Sequence, residues 1–521
     1  MNPAHSKNRR WLESLRAALQ PVFSVQVMAV AVIFLTAAIL RFYDLSDPPL
    51  DFHPTRQLHS ALISRGYLAA WGGGNLTDFE RSRAVALGAS ESRIEPPVIE
   101  FLAACLALLG TDVIFAGRAL AAGAWLFGGL PVFWTGRRFG GVTGGMVALL
   151  LFFFLPYAVI ASRAFQPDPL MVSLIAWALW AILRFGDTPS PRRAAWAGLL
   201  AGAAILVKQV AVFPLGLAFA GCLLADWEWH RAAHSRTVWL IGILSFLPAL
   251  LYNVYGVFGD GFLSQQYALR FFPALYSDPG FYIRWMLKVE STVSLPVLLG
   301  ALLGLALLQN RNGRGLLIGG LAGYLLYGFA FAYHISTHDY YQEPLFPLVA
   351  LGMAPLAGWI WKGIGERSGK PGRVLSAAAL IGITLFTLYT TRSTLRRTDF
   401  RPEPPLWRAL AAKMEYDSAN VIGLFDDYGY RLMYWGYMMP ANWSTTGDEQ
   451  MRILAGQTLT PQDFQTITGS KRFFVVQNLK ELENQPILRN TLYNNYTIFD
   501  QTNAYIVFDL KSPKNATQPG Q

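Results

Sequence analysis

Long apolar runs separated by short polar connections occupy the chain from about residue 23 to about residue 391. Runs near 20 residues are what a helix needs to cross a hydrocarbon core of about 30 Å. They recur at 23–41, 113–135, 142–160, 168–185, 193–207, 209–225, 237–256, 292–309, 315–333, 344–362 and 373–391. The pattern predicts a polytopic helical membrane protein with about eleven spans, up to thirteen if shorter apolar pieces also cross. The segment 97–110 is apolar but short for a span. Its status follows from the basic loops. If it lies on the outer surface, the loops with Arg137 and Arg138, Arg184 to Arg193, Arg231 to Arg236, Arg311 and Arg314, and Lys362 to Arg373 all fall on the cytoplasmic side. If it spans, every one of them faces outward, against the positive-inside rule. The first arrangement is expected, with the N-terminus inside and the C-terminus outside.

Both ends of the chain differ from this pattern. Residues 1–22 include RRWLESLRAAL, basic and apolar at helical spacing, which suits a helix on the cytoplasmic membrane surface. The apolar run after it is too long for a cleaved signal peptide. Past residue 392 the composition turns polar. VIGLF, RFFVV and YIVFDL predict strands, and PLWRALAAKM, DEQMRILA and LKELENQPILRNTL predict helices. A small extracytoplasmic α/β domain is expected over 393–511, followed by a disordered tail at 512–521.

Composition agrees. The chain has 521 residues, of which 53% are hydrophobic and 15% charged, against about 25% charged in soluble domains. The mean hydropathy is +0.31. The net charge of +10 fits basic inner loops and anionic lipid headgroups, and no nucleic-acid partner is expected. Sixteen Trp and 22 Tyr suit interfacial belts. The two cysteines, Cys105 and Cys222, lie in apolar stretches and offer neither a disulfide framework nor zinc spacing.

The unusual charges gather on the outer side. The first outer loop, 42–112, contains RFYDLSDPPLDFHPTRQLHSALISR, and ionisable groups held against a bilayer mark functional sites. Asp51 could take a proton from an acceptor or simply cap the following helix. His53 could be a base, a metal ligand, a donor or a surface histidine. Arg56, His59 and Ser60 share a face if 54–70 is helical, and a guanidinium suits a phosphate. Arg163 and Asp168 stand at the outer end of a span in SRAFQPDPLM, with Asp168 also placed as an N-cap. Lys208 interrupts an apolar stretch, either for phosphate or snorkelling to headgroups. THDYYQEPLFP sets His338, Asp339 and Tyr341 ahead of another span. An aromatic belt accounts for the tyrosines but not for His338 and Asp339. No P-loop, dinucleotide fingerprint, HExxH or GxSxG is present. The acidic set has no tight ligand spacing, so the need for a divalent metal stays open and no other cofactor is implied.

Taken in order, these motifs resemble the GT-C membrane glycosyltransferases, in the branch of protein O-mannosyltransferases and the lipid A aminoarabinose transferase. The resemblance rests on the first loop, EPPVIEFLAACLALLG, GRALAAGAWLFGG with Arg118, GRRFGG, the SR…PDPL element, AGAAILVKQ and HDYYQEPLFPL. It covers about residues 20–360, within a GT-C domain set at 23–392. It implies a polyprenyl-phosphate-linked sugar donor, transfer on the outer face, and an acidic first-loop residue as base. It sets Arg56 at the donor phosphate, with Lys208 and Arg163 as further phosphate candidates. Two departures matter. Alignment on Thr55 and Arg56 brings His53 to the usual acidic position, two residues after Asp51, which is the favoured base. Glu95 replaces the Lys or His that often precedes the PP pair, suggesting a second carboxylate near the donor. Glu95, Asp168, His338, Asp339 and Tyr341 are the substrate-contact candidates. The acceptor implied is a glycan, lipid or protein, in contact with membrane lipids, and a bacterial inner membrane is the expected setting. A flippase of lipid-linked sugars and a non-catalytic envelope scaffold are the competing readings. Charges at span ends disfavour the first.

Overall fold

The computed structural model describes residues 25–226, 229–264, 271–454, 456 and 464–514. The surface helix expected within 1–22 lies outside these residues, as do residues 515–521 of the tail. Helix α1 (Val25–Phe42) is apolar until Arg41 in its last turn. Arg41 is fully buried and donates to the Phe153 carbonyl at 2.8 Å. The loop expected outside, 42–112, then folds into three helices, α2 (Pro54–Ala70), α3 (Asp78–Ser90) and α4 (Val98–Ala107). Helix α3 is closed at its start by a capping box between Thr77 and Glu80. At ten residues, α4 is about 15 Å long, half of a bilayer core, and it packs on α2 and the next helix.

The spanning core runs through α5 (Val113–Phe154), α6 (Pro156–Ala161), α7 (Asp168–Asp187), α8 (Pro191–Val207), α9 (Val212–Leu224), α10 (Trp229–Ala233), α11 (Arg236–Val254), α12 (Pro279–Val293), α13 (Leu295–Leu307), α14 (Arg311–Ala330), α15 (Ala332–Thr337) and α16 (Leu345–Leu395). The eleven expected segments are mostly helical over their described residues, with breaks at Leu155 in 142–160, Ser294 in 292–309 and Phe331 in 315–333. By length and hydropathy alone, five of these helices can cross a membrane, or six if α12 and α13, bent by 85°, form one span. The two numbers differ for identifiable reasons. Helices α5 and α16 each contain two expected segments, joined at Gly140–Gly141 and at Gly369. Helices α8 and α9 are shorter than 18 residues, and α14, at 20 residues, is long enough but not apolar enough. At the α5 junction Gly141 has φ +68°, and the two halves fold back so closely that a Cβ on Gly136 would meet Gly145 and Ala148. Only glycine permits that approach.

The C-terminal region carries α17 (Glu403–Lys413), α18 (Tyr430–Gly436), α19 (Thr446–Leu454), α20 (Phe464–Thr468), α21 (Leu479–Asn484) and α22 (Pro486–Asn495) around one five-stranded sheet. Its order is β2 (Ala441–Asn442), β1 (Val421–Leu424), β3 (Phe473–Val476), β5 (Ile506–Pro513), β4 (Tyr496–Gln501). The first three strands are parallel, and β5 and β4 are antiparallel, with Phe474 opposite Phe508. Strands β1 and β3 are buried along their whole length, which is why they were legible as continuous apolar runs. Two corrections follow. The expected helix over 479–492 is two helices, because Pro486 cannot continue the first. Residues 512–514, expected in the disordered tail, are ordered: Pro513 pairs with Tyr496 and the Lys514 amide donates to the Asn495 carbonyl at 2.9 Å.

This region docks on the first outer loop. The Phe400 amide donates to Asp47 at 3.0 Å. Arg401 pairs with Asp44, and Arg65 of α2 donates to the Tyr434 and Met433 carbonyls.

Candidate functional site

The loop 43–53 is held by side chains reaching back from the spanning helices. Arg118 donates to the carbonyls of Leu45 at 3.0 Å and Asp47 at 2.6 Å. Arg163 donates to the carbonyls of Tyr43 and Asp44. Gln57 of α2 accepts from the Phe165 amide at 2.8 Å, tying the helix to the SRAFQPDP element. Buried polar groups of this kind fix a backbone because leaving them unpaired is costly. They present α2 with His53 just before its first turn, in the left-handed region at φ +43°. A non-glycine residue held there is strained, and the surrounding contacts sustain the strain.

Two ionic pairs flank that first turn. His53 Nε2 lies 2.6 Å from Asp339 Oδ1. Three residues on, Arg56 lies 3.6 Å from Asp168, which is fully buried and also pairs with Lys208. Asp168 does not cap its helix: the N-cap position is Pro167, and no side chain caps it. Tyr340 roofs both cations, with the Arg56 guanidinium 4.8 Å and the Lys208 ammonium 5.1 Å from its ring centre, a cation–π arrangement. Tyr341 lies 5.6 Å from Lys208 and stacks on Tyr327. Side-chain exposures of 26% for His53, 28% for Arg56 and 29% for Asp339 leave this face open.

The other sequence candidates lie around this centre. Glu95 lines a recess with Arg56, His59, Ser60 and Glu100. His338 accompanies Asp339, its Nδ1 2.8 Å from the Thr337 hydroxyl. Burial, with His53 and Arg56 nearby, lowers the His338 pKa to about 4. Asp339 lies below the ordinary carboxylate range: burial raises it, but the His53 contact outweighs that. Asp51 stands apart from this set. It is exposed and lines a small recess with Arg118, Arg163 and Gln57. Arg163 is directed at loop carbonyls, not at Arg56 or Lys208.

Three groups escaped the sequence reading. Glu91 accepts from the Tyr430 hydroxyl at 2.7 Å and lies 2.6 Å from His59 Nδ1, so the C-terminal region supplies a residue to the rim. Tyr157 approaches Asp339. Glu343 is completely buried beside the centre. A glutamate in QEPLFP, between a polar turn and an apolar run, was the available signal. Among the described residues no three His, Cys, Asp or Glu side chains are grouped to hold a metal ion.

Residues 94–255 match the family model described as Dolichyl-phosphate-mannose-protein mannosyltransferase. The fold is similar to that of ArnT from Cupriavidus metallidurans bound to undecaprenyl phosphate, with a TM-score of 0.57 at 14% identity over 92% of this chain and 97% of that one. For the same protein in the apo state the values are 0.58, 15%, 92% and 98%. The Archaeoglobus fulgidus oligosaccharyltransferase, in complex with Zn and sulfate, has a TM-score of 0.55 at 12% identity, covering 94% of this chain and 74% of that one. No curated protein matches. The chain is an integral membrane protein with an ArnT-like GT-C fold.

Proposed function

We propose that this glycosyltransferase takes a sugar from a polyprenyl-phosphate-linked donor and delivers it to an acceptor hydroxyl at the outer face of the membrane. The observation that carries the reading is the convergence of Arg56 and Lys208 on Asp168 beneath Tyr340, three residues from the His53–Asp339 pair. Arg56 and Lys208 set two cations against a single shared carboxylate, an arrangement suited to a phosphodiester donor. The undecaprenyl phosphate bound to ArnT from Cupriavidus metallidurans supports a lipid-phosphate ligand on this fold.

In this reading Arg56 and Lys208 hold the donor phosphate, ordered by Asp168. His53 Nε2 donates to Asp339, which leaves Nδ1 as the acceptor nitrogen of the neutral ring. As the acceptor hydroxyl attacks the anomeric carbon, its proton passes to His53 Nδ1. The bond from that carbon to the phosphate oxygen breaks, and its electron pair stays on the phosphate. Arg56 and Lys208 stabilise that growing charge, the kind of electrostatic contribution that is usually largest in such reactions. A single displacement inverts the anomeric centre. The placement of Asp51 beside Arg118 and Arg163 favours His53 over Asp51 as base. Glu95, beside Arg56, is assigned to donor hydroxyls. The basic loops support an outer-side position for this centre by the positive-inside rule, and a bacterial inner membrane is the proposed setting.

The test is label transfer. Purified protein is incubated with radiolabelled polyprenyl-phosphate sugars and a membrane extract. Transfer by the wild type with loss in His53→Gln supports the reading. Full transfer by folded His53→Gln and loss in Asp51→Asn returns the base to Asp51. No transfer or donor hydrolysis from any donor by folded wild type sinks it.

A further inference from the structure

Glu343 takes no part in the mechanism above, yet it sits beneath it. It follows the turn Asp339–Gln342 and immediately precedes α16. Its side chain is completely buried, and neither carboxyl oxygen has a hydrogen-bond partner among the described residues. Native structures rarely leave a buried polar group unpaired, and those that do call for a reason. The groups in electrostatic reach come from every side: Asp168 at the start of α7, Lys208 at the end of α8, Arg56 on α2, Asp339 in the preceding turn, and the Tyr157 phenol of α6.

Charge gives the reason. Arg56 and Lys208 meet at Asp168, and Glu343 lies within electrostatic reach of the same two cations. With Glu343 neutral, only Asp168 is set directly against them and they attract a phosphate. With Glu343 ionised, a further negative charge faces them and that attraction weakens.

We propose that Glu343 is a positioning residue whose proton sets how much positive charge Arg56 and Lys208 offer to a lipid phosphate. The inference rests on the donor site proposed above. Burial first, then Asp168, holds the Glu343 carboxyl well above its ordinary range, so it is neutral where the carboxylates around it are charged. Its proton goes to solvent on ionisation, and Lys208 then turns its charge inward.

The experiment uses the full chain in lipid nanodiscs and undecaprenyl phosphate as probe. Affinities of wild type, Glu343→Gln and Glu343→Met are measured from about pH 6 to about pH 9, the upper end being where buried glutamates have been found to titrate. Both variants keep the site neutral, and the methionine is an apolar substitute should the amide fold poorly. The probe's own ionisation and that of Lys208 are common to all three, so the ratio of variant to wild-type affinity isolates Glu343. The ratio is expected to rise at least about tenfold across the range, within the limit of one proton per site. A ratio that does not change with pH in either folded variant overturns the inference while leaving the donor site standing. No binding by folded wild type at any pH overturns both, and identifies the donor site as the failure.

Discussion

His53 Nε2 lies 2.6 Å from Asp339 Oδ1 across 286 residues of sequence, joining the loop before α2 to the turn that leads into α16. A carboxylate so placed selects the ring tautomer and steadies the ring. His53→Gln is expected to lower transfer by about 10²–10⁴-fold, the range of a lost general base. Asp339→Asn should lower the maximal rate more than donor affinity, since it acts through His53. Wild-type rates in Asp339→Asn would remove the pair from the mechanism.

Lys208 and Asp168 form a buried pair, with Asp168 fully inaccessible. Removing the ammonium in Lys208→Met leaves that carboxylate with Arg56 alone, 3.6 Å away. Breaking such a pair typically costs about 3–5 kcal/mol. Thermal unfolding in detergent should shift accordingly, and binding of a lipid phosphate should weaken. Arg56→Lys should weaken binding too, because an ammonium cannot replace a planar guanidinium against Tyr340 and a phosphate. A Lys208→Met protein with unchanged melting and unchanged phosphate affinity contradicts the assignment.

Acid should destabilise the outer face through His338. Its folded pKa is lowered to about 4, chiefly by burial, against about 6.5 unfolded. Above pH 6.5 neither state binds the extra proton. Between about 6.5 and about 4 the unfolded chain binds it first, so stability falls with pH, and it levels off below that range. Asp339, with its depressed pKa, adds a further loss as pH drops through its folded value. His338→Gln should flatten the melting-temperature slope in the upper window. An unaltered slope counts against this.

Arg65 fastens the C-terminal region to α2. Its guanidinium donates to two carbonyls of α18 and lies 4.2 Å from the Tyr434 ring and 4.4 Å from the Tyr437 ring. Arg65→Met should weaken this docking by about 2–4 kcal/mol, from charged hydrogen bonds and cation–π contact together. Hydrogen exchange over Tyr430–Gly436 should accelerate. Unchanged protection would falsify the anchoring role.

Gly221 and Gly315 bring α9 and α14 into backbone contact: a Cβ on Gly221 would lie 2.1 Å from the Gly315 carbonyl oxygen. Gly221→Ala should therefore destabilise by about 1–3 kcal/mol. Gly216→Ala, whose Cβ meets nothing within 4 Å, is the control and should melt like wild type.

The sequence by itself determined the spanning helices, because the hydrocarbon core dictates both the length and the apolarity of anything that crosses it. It singled out Arg56, Asp168, Lys208, His53 and Asp339 for a related reason: charge at the end of an apolar run is costly and persists for a purpose. What it could not supply is who meets whom. Asp168 serves as a possible N-cap in sequence, and only the folded arrangement of α2, α7 and α8 brings it to Lys208 and Arg56. Asp51 and His53 are two residues apart and chemically eligible alike. The left-handed turn at His53 and the distant Asp339 set them on different neighbours. Glu91 carried no local pattern, and Glu343 only its place between a polar turn and an apolar run, since burial and an inter-domain hydrogen bond depend on chain segments hundreds of residues away. Local rules of length and polarity fix the elements, whereas the pairing of side chains depends on long-range packing that only the folded chain contains.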